Sequence, residues 1–263
     1  IESTGSQCVY DYPIDGIVFK VNNLDIQRAM GATAHHPKWA VAYKYADVNV
    51  TSHVTGMHYG MSRLGMLVPV LTFDPVTING IVIKQASLAN TAELQWQRYH
   101  VGKEVNVRLA GMVIPQVSAV FEYILPDTVT LPPPVIFTAP TECPFCKHPT
   151  ETRGSNPYVV CVNTKACSEQ IVKRLLYFVG KECMGFTGFG EVMVRNVVEE
   201  LKITNPNYLL TLDGDALQTI GLTGRSAFKM INIIASRTAL VLDNEPWRYL
   251  AGLCVPGVNM ETA

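Results

Sequence analysis

The sequence predicts a multi-domain α+β protein, and three observations predict it. Apolar residues alternate with period two in short runs spread over the first 130 positions, four cysteines at paired spacing follow, and from about position 169 the apolar residues recur at helical spacing between glycine-rich turns. The chain has 263 residues, 48% hydrophobic and 16% charged, enough to bury several small cores and too apolar for intrinsic disorder. Its formal net charge of −1 argues against coating nucleic acid by bulk charge and leaves local phosphate contacts open. No apolar run approaches the roughly 18 to 20 residues that span a bilayer. The opening residues, IESTGSQCVYDY, carry neither the basic nor the apolar region of a secretory signal. A soluble, cytoplasmic chain with no membrane partner is therefore expected, and a start at Ile1 reads as a piece of something longer.

Four segments follow in order. Residues 1–48 read as strand, helix, strand: IDGIVFKV alternates around Lys20, a short helical pattern runs from Asn23 to Gly31, and WAVAYKY alternates up to Lys44 and Tyr45. Residues 49–130 carry short β-runs, LGMLVPVLTF, VTINGIVIKQ, KEVNVRLA and MVIPQVSAVF, with Asn79-Gly80 as a hairpin signal and a helix around Ala92 to Arg98. Four or five short strands and one helix over about 75 residues fit a small Greek-key β-barrel of the OB type. The stiff segment LPPPVIFTAP marks a boundary before a cysteine segment at 131–168. Residues 169–263 then turn helical, with Ile171, Leu175, Leu176 and Val179 on one face.

The cysteine segment reads Cys143-x2-Cys146-x14-Cys161-x5-Cys167. Two chelating pairs about 14 residues apart match a four-cysteine zinc finger, in which four thiolates close a tetrahedron and leave no open position for a catalytic water. Structural Zn2+ is the expectation, against reduced bystander thiols or disulfides. Cys8, Cys183 and Cys254 lack partners at useful spacing and read as core residues of a chain kept in a reducing compartment.

Glycines punctuate the helical segment. Gly188 and Gly190 precede one helix, Gly221 and Gly224 precede another about 34 residues on, and a degenerate third turn lies around Gly252 to Val258. Glycines at a helix start let backbone N–H groups approach a phosphate at the positive end of the helix dipole. Repeated in tandem, this is the logic of a helix-hairpin-helix domain that holds a DNA backbone without reading sequence.

The collinear order of IDGIVFKV, WAVAYKY, LGMLVPV, AGMVIPQV, four zinc-type cysteines and glycine hairpins resembles the bacterial NAD-dependent DNA ligases over nearly the whole chain, from Asp11 to Ala263. IDGIVFKV is similar to nucleotidyltransferase motif IV and WAVAYKY to motif V. The resemblance implies the end of an adenylation domain, an OB fold, a four-cysteine zinc finger and a truncated helix-hairpin-helix domain, in a monomer that seals nicks in double-stranded DNA. It implies NAD as the AMP donor, with Mg2+ or Mn2+ assisting, through enzyme–AMP and DNA–adenylate intermediates. Lys20 and Lys44 match the motif lysines that hold nucleotide phosphate, and as strand-end lysines they are expected to converge on one phosphate, where fixed cations stabilise developing charge. Asp15, in the same motif, is read as assisting the divalent metal or holding the strand geometry, against a plain turn aspartate. Arg63 matches the arginine of the family's Gly-Arg-Thr-Gly segment, a DNA phosphate contact, and the hairpin glycines match the family's DNA-binding turns.

This sequence also departs from that pattern. The Lys-x-Asp-Gly motif of the adenylylated lysine does not occur, so the chain alone is expected to be inactive in the first step. Gly-Arg-Thr-Gly reads Ser62-Arg63-Leu64-Gly65, Ala-Thr-Leu-His-Asn reads Ala86-Ser87-Leu88-Ala89-Asn90, and Arg-Ala-Gly-Asp-Val-Ile-Pro reads Leu109 to Pro115 with Met112 for Asp. The third hairpin has Cys254 and Asn259 at glycine positions. Those losses of polar groups define the alternative, a non-catalytic DNA-binding relative that keeps the OB, zinc and hairpin modules.

Overall fold

In the computed structural model, residues 14, 16–33, 36–44, 48–111, 113–120, 135–154, 157–258, 260 and 262–263 are described. The first of them form a two-stranded antiparallel ribbon, β1 (Gly16–Lys20) with β2 (Ala40–Lys44), connected through α1 (Leu24–Met30). Asn23 starts α1: its Oδ1 accepts from the amides of Asp25 and Ile26 at 2.8 and 3.2 Å, satisfying donors that the first helical turn leaves open. Both faces of the ribbon reach solvent, with Val18, Phe19, Val41 and Tyr43 exposed.

A larger antiparallel sheet follows. It comprises β3 (Asn49–Met61), β4 (Met66–Ile78), β5 (Ile81–Ser87), β6 (Glu104–Ala110) and β7 (Ile114–Ala119), with α2 (Ala92–Trp96) between β5 and β6. The neighbours run β7-β6-β3-β4-β5, and β5 also lies against β7. The sequence pattern misplaces two of these strands. Val76, Thr77 and Ile78 finish β4 and do not start a new strand, because the chain carries Asp74-Pro75 through a register shift between Thr72 and Val76. β3, NVTSHVTGMHYGM, escapes an alternation search because its polar and glycine residues dilute the apolar signal. Asn79-Gly80 does turn the hairpin, with φ of 52° and 78°, the left-handed pair that a two-residue type I′ turn needs. Val54, Leu71, Leu94, Tyr99, Val105 and Val107 are fully buried at the centre of this unit. Each aliphatic side chain among them contributes about 1.5–3 kcal/mol of burial.

The cysteine segment is stitched to the sheet. β8 (Thr150–Arg153) and β9 (Tyr158–Cys161) form a hairpin, and β9 pairs with β4 at Met66 and Leu67. Beyond it come α3 (Ser168–Val179), α4 (Glu191–Glu200), a 3-10 turn at Pro206–Thr211, α5 (Gly214–Thr219), α6 (Gly224–Asn244) and α7 (Pro246–Gly252). They pack around Phe178, whose ring meets Phe186 and Tyr249 edge-on at 6.3 and 6.1 Å between centroids. Of the stripe expected from the sequence, Ile171, Leu175 and Val179 are buried and Leu176 is half-buried. Cys183 and Cys254 are buried, whereas Cys8 lies outside the described residues. No helix among the described residues is long and apolar enough to cross a membrane.

An ion-pair network pins α3 to α4. The Arg195 guanidinium forks onto the Glu169 carboxylate at 2.8 and 3.1 Å, donates to Glu191 at 2.6 Å, and Lys173 lies 3.3 to 3.5 Å from both acids. Arg195 is stabilised as a cation chiefly by its bond to Glu169. The Glu169 side chain is only 11% exposed, so Glu169→Ala is expected to take from the partly buried Arg195 its forked partner, leaving it the half-exposed Glu191, and to cost about 2 kcal/mol. Glu191, half-exposed, is expected to cost less than about 0.5 kcal/mol on the same change. Urea midpoints of the helical unit's unfolding check both values.

Candidate metal centre and nucleic-acid interface

Local turns bring the four cysteines together. In the knuckle, the Cys143 amide donates to His148 O at 2.8 Å and the Lys147 amide to Cys143 O at 2.9 Å, with Lys147 in the left-handed region at φ 60°. Cys161 ends β9. Asn163 closes the second turn by accepting from the Ala166 amide at 3.1 Å through Oδ1 and from the Cys167 amide at 3.2 Å through its carbonyl. Cys167 is the N-cap of α3, where the helix dipole favours a thiolate.

The four Sγ atoms all lie within 4.8 Å of one another, and Cys146 and Cys161 are 3.6 Å apart. A tetrahedral zinc with Zn–S of about 2.3 Å separates its sulfurs by about 3.8 Å, so the cluster has the right size for one. All four cysteines are free thiols, which sets the disulfide alternative aside. Burial opposes ionisation at Cys146, but the His148 amide and the three neighbouring thiols overcome it and hold this thiol at about 6. Burial pushes Cys167 up to about 11 and raises Cys161 as well. A divalent ion bound here would displace the protons that remain on these thiols. Four soft thiolates with no open position fit a structural zinc, whose part is to hold these turns together.

Lys20 and Lys44 do not stand side by side. The ribbon register pairs Lys20 with Ala40 and Gly16 with Lys44, which sets the lysines at opposite ends, four residues or about 13 Å apart along the strands. They share one face, because directly paired residues point the same way and Ala40, Ala42 and Lys44 alternate onto it. Convergence at adjacent strand ends is therefore replaced by two cations flanking Val18 and Ala42. A shallow hollow of about 440 Å³ at the Lys20 end is lined by Lys38, Trp39 and Met30 as well. Lys38 is a second cation there that no sequence motif singles out. Asp15 lies outside the described residues.

The hairpin glycines split into two kinds. Gly188, Gly221 and Gly224 have φ of 98°, 88° and 54°, where side chains strain the backbone. Gly190, the N-cap of α4, has an ordinary φ of −79° and nothing within 4 Å of where a Cβ would stand. Neither backbone strain nor packing within the chain requires a glycine at 190, and the amides of α4 open onto solvent there. At the third turn Cys254 takes φ 55°, a glycine conformation carried by a cysteine.

Arg63 is engaged inside the chain: its guanidinium carbon sits 3.9 Å from the centroid of the Tyr177 ring on α3. The other two substituted segments meet. Ser87, Ala89, Ile114 and Pro115 line one hollow of about 670 Å³ together with Arg108 and Asn106, and Arg108 is held there by Gln116 at 2.8 Å. That meeting depends on β5 lying against β7 and could not be read from positions 25 residues apart in sequence.

The family model of the NAD-dependent DNA ligase adenylation domain matches residues 3–47, and that of the NAD-dependent DNA ligase OB-fold domain matches residues 51–126. Among curated proteins, the chain is 33% identical over 253 residues to a DNA ligase of Desulfosudis oleivorans, covering 96% of this chain and 36% of the relative. It is 29% identical over 254 residues to a DNA ligase of Clostridium tetani, with the same coverage of 96% and 36%. A DNA ligase of Francisella philomiragia is 33% identical over 228 residues, 86% of this chain and 32% of that protein. The chain thus spans about a third of the length of these relatives. An adenylation-domain segment and an OB-fold domain of the NAD-dependent DNA ligase type thus follow one another in this chain, which is similar to proteins named DNA ligase along almost all of its length.

Proposed function

We propose that this chain is part of an enzyme that seals nicks in duplex DNA at the expense of NAD. The observation that carries the reading is the collinear match of adenylation and OB-fold segments ahead of a four-cysteine cluster and glycine-led helices. In this reading a protein lysine attacks the AMP phosphorus of NAD and expels nicotinamide mononucleotide, the AMP then passes to the 5′-phosphate at a nick, and it leaves when the 3′-hydroxyl attacks. Lys20 and Lys44 hold phosphate oxygens of a ligand laid across Val18 and Ala42, their long stems reaching inward from the two ends of the ribbon face. Asp15 assists Mg2+ or Mn2+. The sheet of β3 to β7 serves as an OB barrel, and the helices serve as a helix-hairpin-helix domain, with Gly188, Gly190, Gly221 and Gly224 admitting DNA phosphates. Zn2+ holds the joint between them. The chain works as a cytoplasmic monomer around DNA, and without a Lys-x-Asp-Gly lysine it forms no enzyme–AMP by itself.

A second reading is favoured by one observation. The hollow between β5 and β7 is lined by Ala89, at the position of the family pattern's His, with Ile114 and Pro115 close by in the second substituted segment, so a relative that binds DNA without sealing it has a physical basis. Both readings require DNA binding through the backbone. Titration of nicked duplex against increasing salt is expected to give affinity that falls linearly on a log–log plot and ignores sequence. Failure to bind duplex at low salt contradicts both.

A further inference from the structure

The turn between β3 and β4 reaches beyond its own sheet. It is closed by the Gly65 amide on Ser62 O and the Met66 amide on Ser62 Oγ, both at 3.0 Å. Its tip touches two other parts of the chain. The Cys161 amide donates to Gly65 O at 2.9 Å, tying the turn to the metal hairpin. Gly65, at φ 83°, lies so close to α3 that a Cβ would collide with the side-chain amide of buried Gln170. Arg63 then covers Tyr177, seven residues further along the same helix and two turns away on the same face. Among the described residues Arg63 has no carboxylate partner, so its cation is spent on the ring.

We propose that Arg63 is a positioning residue: stacked on Tyr177, it fixes the helical unit against the β-sheet, and it does not serve as a DNA phosphate contact. An arginine at this turn that pointed into solvent would be free to meet DNA. Here the guanidinium face is covered by an aromatic ring on a different unit, flanked by a glycine that permits the approach and a backbone bond that fixes its height. The consequence is that the sheet and the hairpin helices present their surfaces in one fixed relation.

Hydrogen exchange of the zinc-loaded full chain tests this, using R63A, R63K, Y177F and Y177L. The reporters are the Cys161 amide and the amides of α3 from Gln170 to Tyr177. R63A and Y177L are expected to speed their exchange about three- to tenfold, Y177F to leave it near the parent because the ring stays, and R63K to fall between. R63A combined with Y177L should add nothing to either alone, as expected of two halves of one contact. Should R63A fail to fold, Y177L, which keeps apolar bulk, and R63K carry the comparison. Unchanged exchange in R63A and Y177L overturns the proposal. A second readout rests on the DNA-binding reading above: the salt dependence of nicked-duplex binding should keep its slope in R63A. A slope lowered by about one in R63A, with Y177L at the parent value, marks a phosphate contact and also overturns the proposal. If the chain binds no DNA, the exchange data alone decide, so the two readings fail separately.

Discussion

Removing the metal, by chelation or by Cys161→Ser, is expected to unfold the cysteine segment and to loosen the sheet and helices on either side of it. The zinc segment has almost no core of its own: Met61, Leu67 and Val159 are the apolar residues buried against the cysteines. Bound zinc supplies on the order of 10 kcal/mol to segments of this kind, far more than those side chains can. The loss travels because Cys161 ends the strand that pairs with β4, and Cys167 starts α3. Acid acts in the same direction. The ligands must be thiolates, so protons compete for the metal as pH falls, and affinity declines most steeply below the value of about 6 that holds for Cys146, where the readiest thiolate is also lost. Zinc content by atomic emission with melting curves, with and without chelator, checks the prediction. One zinc per chain and a large drop in melting temperature on its removal are expected, and an unchanged melting curve in the chelated, metal-free chain would count against it.

Gly190→Asp is expected to weaken binding of nicked duplex by about tenfold or more at low salt, while leaving the fold intact or slightly firmer. The two effects have opposite signs for a physical reason. Position 190 is an N-cap with ordinary φ and empty space in front of it, and Asp is a good N-cap that accepts from open amides, worth a few tenths of a kcal/mol over glycine. The same carboxylate occupies the amides that a phosphate would take and repels it. The penalty should shrink as salt rises. Melting curves and binding isotherms on the same preparation separate the outcomes. A Gly190→Asp chain that binds DNA like the parent would remove α4 from the interface. At Gly221 and Gly224 the same substitution is a poorer probe, since their positive φ makes any side chain strain the turn.

The parts that are legible in the sequence are those governed by local chemistry. Cys143, Cys146, Cys161 and Cys167 announce their cluster because chelation needs paired spacing, and Asn79-Gly80 announces its turn because few residues take two left-handed conformations in a row. Asn23 marks the start of α1 for a similar reason. What stays hidden depends on register and on contacts between distant segments. That Lys20 and Lys44 sit at opposite ends of one face follows from the pairing of Gly16 with Lys44, which alternation cannot supply. Arg63 looks like a free cation in a loop until Tyr177, over a hundred residues later, comes to lie beneath it. The meeting of Ala89 with Ile114 and Pro115 in one hollow likewise requires the fold. β3 is hidden for a different reason: its burial is shared among polar and small residues, and only the neighbours β4 and β6 on either side make it a strand.

The most direct test of the central claim is nick sealing by a chimera that joins the N-terminal portion of a curated DNA ligase relative, with its reactive lysine, to this chain. NAD is supplied, and enzyme–AMP is scored separately from sealed product. The account predicts sealing that falls by about a hundredfold or more in both Lys20→Ala and Lys44→Ala, as expected when a preorganised cation is removed from a transferring phosphate. A chimera that forms enzyme–AMP and binds nicked duplex but leaves the nick open would contradict it, and would assign the substituted sheet to a DNA-binding relative without ligase chemistry.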